Sequence, residues 1–384
     1  MALGLVSLFM DLSSEMIHSL LPVFLVTVLG ASALSVGLIE GIAEATASVA
    51  KVFSGVFSDW IGRRKPLVLL GYGLAALTKP LFPLATGIGA VLTARFLDRI
   101  GKGIRGAPRD ALIADITPPE IRGAAYGLRQ SMDTVGAFAG PLLAIVLMAA
   151  TGDNFRVVFW VAAVPAFLCV LLIIFGVEEP ESAPHAAHAR FPISRANLRR
   201  LPSRFWWVVV FATVLTLARF SEAFLLMRAQ SLGLSVTWVP MILIVMNVVY
   251  AGCAYPFGKL SDNGSRRTLL VWGIVFLIMA DLVLALAGNV LVVGMGAAIW
   301  GLHMGATQGL LSSLVADAAP ADMRGTAFGV FNLVSGVSLL AASIIAGALW
   351  SFFGPAMTFY AGSVFSFVAL AGLLAGTRNK AVGT

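Results

Sequence analysis

Apolar residues along the chain fall into long runs that alternate with short turns rich in Gly, Pro, Asn and Asp. A helical run of about twenty apolar residues crosses the hydrocarbon core of a bilayer, whereas a barrel strand needs only about ten. The pattern therefore predicts an all-α membrane protein with twelve transmembrane helices, near 3–28, 36–58, 66–86, 89–115, 124–150, 156–177, 205–229, 236–259, 268–287, 290–316, 326–349 and 356–376.

A polar segment interrupts these runs near the middle of the chain. Residues 178–204 contain several prolines and many charged residues, so they cannot span a membrane. This segment predicts a cytoplasmic linker between an N-terminal six-helix half, residues 1–177, and a C-terminal six-helix half, residues 205–384.

Composition supports lipid as the solvent of this protein. Of 384 residues, 59% are hydrophobic and 12% are charged, whereas an ordinary soluble domain has about 25% charged residues. The net charge of +7 comes largely from short loops on the linker side, which is the positive-inside pattern and not a nucleic-acid surface. We expect a multi-pass protein of the inner (cytoplasmic) membrane with both termini in the cytoplasm. The sequence contains no ATP-binding loop, catalytic motif or metal-ligand spacing, and we expect a monomer that is not an enzyme and uses no cofactor.

Two motifs occur twice along the chain at nearly the same spacing. The first motif, Gly55-x-x-Ser58-Asp59-x-x-x-Arg63-Arg64, recurs 203 residues later, from Gly258 to Arg267. The second motif, around Asp115 and Arg122, recurs 202 residues later around Asp317 and Arg324. The two halves are therefore predicted to be related units in the same orientation, a frequent design in transporters.

The loop from Gly55 to Lys65 resembles the signature between the second and third helices of the major facilitator superfamily. The resemblance extends over essentially the whole chain and implies alternating access to a small-molecule substrate by two six-helix halves. It also implies a cytoplasmic gate, in which Asp59 lies against the positive end of a helix. The alternative is that these residues are solvated loop charges. The gate candidates are Gly55, Asp59, Gly62, Arg63, Arg64, Asp115, Asp262, Arg266 and Asp317.

The fifth predicted span carries glycines at regular spacing followed by a proline. Its motif, Gly127-x8-Gly136-x3-Gly140-Pro141, resembles the antiporter signature of the drug:proton families, although Ala144 and Ile145 replace the closing glycine pair. Small residues at this spacing let two helices approach closely, so generic helix packing is the alternative interpretation.

Charged residues also recur inside the predicted spans, where each costs at least ~2.5–3.5 kcal/mol at mid-membrane. Candidates for carrying a coupled proton are Glu15, Glu44, Asp133 and Glu222, followed by Asp11 and His18. Lys79, next to Pro80, is expected to snorkel toward the outer face.

The fourth span is unusually charged. Arg95, Asp98, Lys102, Arg105 and Arg109 recur at steps of three and four and share one helical face. Two interpretations stay open. Either these cations pair with acidic residues of other spans, or Arg105 or Lys102 is left to bind an anionic group of a substrate. The substrate-binding candidates are Arg105, Lys102, Arg95, Asp98, Arg109, Arg129, Arg219, His303 and Gln308.

These observations support three functional hypotheses. The first is proton-coupled export of a small organic compound, favoured by the glycine motif. The second is a carrier of an organic anion, such as a carboxylate or phosphate compound, favoured by the charged fourth span. The third is a receptor built on a transporter scaffold, which the short tails disfavour.

Overall fold

The computed structural model describes residues 1–61, 63–118, 121–178, 195–263, 265–320 and 323–381. These residues form helices and turns, with no strand among them. The helices are α1 Ala2–His18, α2 Leu21–Thr27, α3 Ala33–Ile61, α4 Lys65–Thr78, α5 Leu81–Leu84, α6 Ile88–Ile116, α7 Arg122–Thr151, α8 Phe155–Gly176, α9 Arg195–Arg200, α10 Ser203–Ala218, α11 Ala223–Ser231, α12 Met241–Asn263, α13 Arg266–Leu286, α14 Val290–Ala318, α15 Arg324–Phe353 and α16 Pro355–Ala381. The predicted all-helical membrane fold is confirmed.

Eleven segments of the described ranges are long and apolar enough to cross a membrane. Helix α6 is not among them, although its 29 residues match the longest of the others. Its many charged side chains make it too polar to meet the same criterion. Because the bilayer offers no water to those charges, α6 depends on its protein neighbours more than any other helix does.

Three helices that the sequence pattern predicts to be continuous are broken. The span near 3–28 divides into α1 and α2, just before Pro22, and the span near 66–86 divides at Lys79 and Pro80. Proline lacks the backbone N–H that a continuing helix requires and so favours both breaks, although α6, α7, α8 and α12 continue through Pro108, Pro141, Pro165 and Pro256. The span near 205–229 divides between Arg219 and Glu222, where no proline is present.

The chain forms two compact units. The first contains α1, α2, α3 from Ile42 onward, α4 to α8 and Val236–Met241; the second contains Ser32–Gly41, α9 to α11 and α12 to α16. The division into six-helix halves at the linker stays a prediction, and residues 179–194 of that linker lie outside the described ranges.

In the first unit, α1 packs against α7 and α8, and α4 packs against α6. The contact between α1 and α7 is very close at two glycines. A Cβ atom on Gly136 would lie 2.8 Å from the carbonyl oxygen of Leu8, and one on Gly140 would lie 2.9 Å from that of Leu12. Gly127, by contrast, has open space around it. Two glycines of the antiporter-like motif are therefore required for this helix contact.

In the second unit, α13 packs against α14 and α16, and α10 packs against α15 and α16. Gly273 of α13 lies directly against the side chain of Thr307 of α14. In the first unit, Gly71 of α4 lies in the same way against Arg105 of α6. Gly273 and Thr307 follow Gly71 and Arg105 by 202 residues each, so the sequence repeat extends to the way these helices pack.

We expect Gly136→Ala to destabilise the protein, because the added methyl group would displace α7 from α1. Overpacking of this kind costs about 1–3 kcal/mol. The matched control is Gly127→Ala, which adds the same atom to the same helix in open space and should leave stability equal or slightly higher. Thermal unfolding of both purified variants in detergent measures the difference. Equal midpoints would contradict the close packing of α1 and α7.

Candidate functional site

A charged cluster lies within the first unit and draws on five helices. Its residues are Asp11, Glu15 and His18 of α1, Glu44 of α3, Lys79 at the end of α4, Arg95, Asp98, Arg99, Lys102, Arg105, Arg109 and Asp110 of α6, and Arg129 and Asp133 of α7. Small residues bring neighbouring helices close to α6. A Cβ atom on Gly101 would lie 2.6 Å from the carbonyl oxygen of Gly71, and one on Gly103 would lie 2.8 Å from that of Ala47.

The most deeply buried ion pair of the cluster joins Lys79 to Asp98. The Nζ atom of Lys79 donates to Asp98 Oδ1 at 2.9 Å and to Ser14 Oγ at 3.0 Å. The two charged side chains are only 2% and 6% exposed. The prediction that Lys79 snorkels to the outer face was wrong, because the break in the helix at this residue directs its side chain to a carboxylate within the same unit.

Most of the other charges also have partners inside the unit. Ion pairs join Arg99 to Glu44 at 3.3 Å and Arg129 to Asp133 at 2.7 Å. Arg109 donates to Asp110, Ser7 and the hydroxyl of Tyr72, at 3.1–3.3 Å. Arg95 is buried. These contacts supply partners to cations that lipid could not solvate, and among these described cations the buried donors left without a hydrogen bond are the Nε atoms of Arg95, Arg99 and Arg129.

Arg105 differs from these cations. Its side chain is buried, and its guanidinium carbon lies 4.5 Å from the centre of the Tyr72 ring. Its Nη1 atom has no hydrogen-bond partner, and no carboxylate of the described residues lies within ion-pair distance of it. A cation–π contact satisfies one face of the guanidinium but not its N–H donors.

Lys102 and Asp11 lie next to Arg105 and are likewise not in direct pairs. Lys102 is exposed, Asp11 is half-buried, and neither forms an ion pair with another described residue. Asp11 is nevertheless close enough to Arg105 and Lys102 to interact with both electrostatically. One cation in the middle of the cluster is thus accessible and a second one is buried with an unused donor.

Glu15 and His18 lie together at the end of α1. The Nδ1 atom of His18 lies 3.4 Å from Oε2 of Glu15, and both side chains are partly exposed. Glu15 also interacts electrostatically with Lys102 and Arg99. The acids predicted to carry a proton are therefore interspersed with the cations predicted to bind substrate.

The candidates in the second unit are arranged differently. Arg219 and Glu222 flank the break between α10 and α11. His303 is buried, and its Nδ1–H donates to the carbonyl oxygen of Gly273 at 2.7 Å, which is how a packing histidine is satisfied. The side chain of Gln308 lies outside the described residues.

The two repeated loops each hold an ion pair. Arg64 lies 3.5 Å from Asp115, and Arg266 lies 2.8 Å from Asp317. Each pair spans 51 residues of chain. In the first unit Arg64 pairs with Asp115, while Arg63 is exposed at the surface. The side chains of Asp59 and Asp262 and the whole of Gly62 lie outside the description, so the predicted gate stays a prediction.

Two residues of interest were missed by the sequence analysis. Tyr72 contacts both Arg105 and Arg109, and no pattern distinguishes it from other aromatic residues of a membrane helix. Asp281 is buried in α13, and its carboxylate oxygens have no hydrogen-bond partner among the described residues. The repeat could have drawn attention to it, because Asp281 follows Lys79 by 202 residues.

The fold and these buried charges are those of a polytopic membrane transporter. The sequence matches the profile of the Major Facilitator Superfamily over residues 3–343 and again over 229–383. The chain therefore belongs to this superfamily, which confirms the resemblance of its loop motifs.

Known relatives and structures agree with this family. An uncharacterised MFS-type transporter of Methanocaldococcus jannaschii is 34% identical over 385 residues, which cover 96% of this chain and 92% of the relative. The crystal structure of the nucleoside transporter NupG gives a TM-score of 0.84 at 13% identity, covering 97% of this chain and 98% of that one. A POT peptide transporter gives 0.80 at 15% identity, covering 98% and 94%. These two structures show the shared fold.

We expect the ion pair of Lys79 and Asp98 to be strongly coupled. Removing one partner, as in Asp98→Leu or Lys79→Met, leaves the other charge buried and should cost about 3–5 kcal/mol. The double variant Lys79→Met/Asp98→Leu should recover most of that loss, because it buries no charge. Thermal unfolding in detergent provides the double-mutant cycle.

The control is the surface pair of Arg266 and Asp317, whose side chains are 46% and 63% exposed. Asp317→Asn should change stability by only about 0–1 kcal/mol. Additive effects of the two single changes at Lys79 and Asp98 would contradict the pairing.

Proposed function

We propose that the protein is a secondary active transporter of a small organic anion, whose carboxylate or phosphate group binds at Arg105 and Lys102. The observation that carries this proposal is that Arg105 has an unused donor and no carboxylate within ion-pair distance among the described residues, whereas Lys79, Arg99 and Arg129 have carboxylate partners. A buried donor without an acceptor is unfavourable unless a ligand or water supplies one.

The chemistry of these two cations suits an acidic group. The planar guanidinium of arginine can bind a carboxylate or phosphate through two parallel hydrogen bonds. The guanidinium carbon lies 4.5 Å from the centre of the Tyr72 ring, and this contact restrains the position of the group that would meet the acceptor. Lys102, one turn away and exposed, adds a second positive charge that would attract the anion into the cluster.

Coupling to protons would follow from the acids around this site. Asp11 interacts electrostatically with both Arg105 and Lys102. A bound anion would compete with Asp11 and Glu15 for these cations, and a carboxylate that loses its cation binds a proton more readily. Substrate binding and proton binding would thereby be linked, with Glu15, Asp11, Glu44 and Asp133 as the carriers.

A second function, proton-coupled export of a drug-like compound, is favoured by one observation. Gly136 and Gly140 press α7 onto the face of α1 that carries Asp11 and Glu15. Movement of α7 would therefore reach these carboxylates directly, which is the arrangement that an antiporter signature should provide. In this function Glu15 would release its proton in exchange for a lipophilic cation, and the cations of α6 would be structural.

The first test is transport by the purified protein in liposomes that contain a pH-sensitive dye. Panels of organic anions and of lipophilic cations are applied to the wild type, Arg105→Ala, Arg105→Lys and Glu15→Gln. We expect anions to evoke proton flux. Because a hydrogen bond to a charged group contributes about 1.5–3 kcal/mol, Arg105→Ala should raise the half-saturating anion concentration about ten- to hundredfold. Arg105→Lys should retain part of the affinity.

The matched control for the second cation compares Lys102→Ala with Lys51→Ala. Both lysines are exposed in the first unit and lack an ion pair with any described residue, but only Lys102 lies beside Arg105. Lys102→Ala should weaken anion transport and Lys51→Ala should not. Flux evoked by lipophilic cations that survives Arg105→Ala and disappears in Glu15→Gln would reject the anion proposal and support export.

A further inference from the structure

The second unit contains a fully buried carboxylate that has no visible partner. Asp281 of α13 is 0% exposed, and neither of its carboxylate oxygens has a hydrogen-bond partner among the described residues. Its immediate surroundings include the backbone of Gly362 of α16. A Cβ atom on that glycine would lie 2.6 Å from Asp281 Oδ2 and 3.0 Å from a ring carbon of Phe220.

The repeat explains why Asp281 lacks a partner. Asp281 follows Lys79 of the first unit by 202 residues, the same offset that relates the ion pairs and the glycine contacts of the two units. Lys79 is neutralised by Asp98, but the residue 202 positions after Asp98 is Trp300. The second unit thus retains a buried ionisable group at this position and lacks the counter-ion.

No described cation of the neighbouring elements pairs with Asp281. On α14, His303 is engaged with the carbonyl oxygen of Gly273, two turns before Asp281. On α16 the nearest titratable residue along the chain is Tyr360, and Arg219 and Glu222 flank Phe220 at the break between α10 and α11. None of these side chains forms a hydrogen bond or ion pair with Asp281 in the described parts of the unit.

An ionised carboxylate in such a place would be very unfavourable, because it is fully buried and has neither a counter-ion nor a hydrogen-bond donor among the described residues. A carboxylic acid avoids most of that cost by retaining its proton. We propose that Asp281 is a proton-binding site of the second unit, neutral in this conformation, that releases its proton only when water reaches it.

The surroundings also indicate what would control that access. Phe220 lies at a helix break, where the backbone hydrogen bonds of a continuous helix are missing, and its ring contacts Phe224, Trp300 and Phe359. If this ring moved away from Gly362, the carboxyl group of Asp281 would become exposed to water, because glycine has no side chain to cover it. Proton release from Asp281 would thereby be linked to movement of the break between α10 and α11.

Infrared spectroscopy of the purified full-length protein tests the protonation state directly. A protonated buried carboxyl group has a C=O stretching band separate from that of a carboxylate. At neutral pH we expect this band in the wild type and its loss in Asp281→Asn. Asp317→Asn is the control, because an exposed, ion-paired aspartate should not contribute to the band. Identical spectra of the wild type and Asp281→Asn in this region would overturn the proposal.

A second variant keeps the test valid if Asp281→Asn does not fold. Asp281→Ala removes the carboxyl group without adding volume against Gly362, and it should likewise lose the band. Because the spectrum requires no substrate, this result is independent of the anion proposal. In liposomes, Asp281→Asn should retain exchange of a radiolabelled organic anion that evokes flux in the wild type, but its proton flux should be reduced. Retention of wild-type proton flux in a variant that lost the band would overturn the link between Asp281 and coupling.

Discussion

The ion pair of Lys79 and Asp98 is the interaction on which the first unit depends. Helix α6 carries many charged side chains, and lipid solvates none of them. The helix is stable in the unit because other helices supply partners for these charges. Lys79 fixes the position of Asp98 in the interior. Arg99 then turns toward Glu44 and Arg109 toward Ser7 and Tyr72, and the pairs together leave Arg105 and Lys102 in the middle.

The second unit has a similar helical framework with very different electrostatics. Close glycine contacts recur between α4 and α6 and between α13 and α14, but the residues of α14 that correspond to Arg95, Asp98 and Arg99 are Ala297, Trp300 and Gly301. An aromatic group around Phe220 and Trp300 occupies the place of the buried ion pair. The described interior of the first unit is therefore rich in charged side chains, whereas the corresponding positions of the second unit are largely apolar.

The sequence was sufficient for the fold and for part of the site. Helical spans follow from hydrophobic runs, the family follows from the repeated loop motifs, and the charged face of α6 follows from steps of three and four residues. The helix breaks were harder to predict from the sequence. A proline accompanies those at Pro22 and Pro80, but no sequence feature accompanies the one between Arg219 and Glu222. The sequence could not predict which cations of α6 have carboxylate partners. Whether Arg105 or one of its neighbours is paired depends on how α1, α4 and α7 are rotated toward α6. The wrong prediction for Lys79 has the same cause, because snorkelling to the membrane surface and pairing inside the protein differ only in the direction of its side chain.

The two repeated loops differ by one residue, since three residues connect α3 to α4 and two connect α12 to α13. A single deletion inside a helix would rotate everything after it by about 100° about the helix axis, and would turn buried residues outward. Placed in a loop, the same deletion leaves the angular phase of the following helices intact. The two copies could therefore diverge freely in side-chain chemistry while every position kept facing the same way. Each residue of one unit consequently indicates the orientation of its counterpart in the other, even where the two side chains differ as much as Lys79 and Asp281 do.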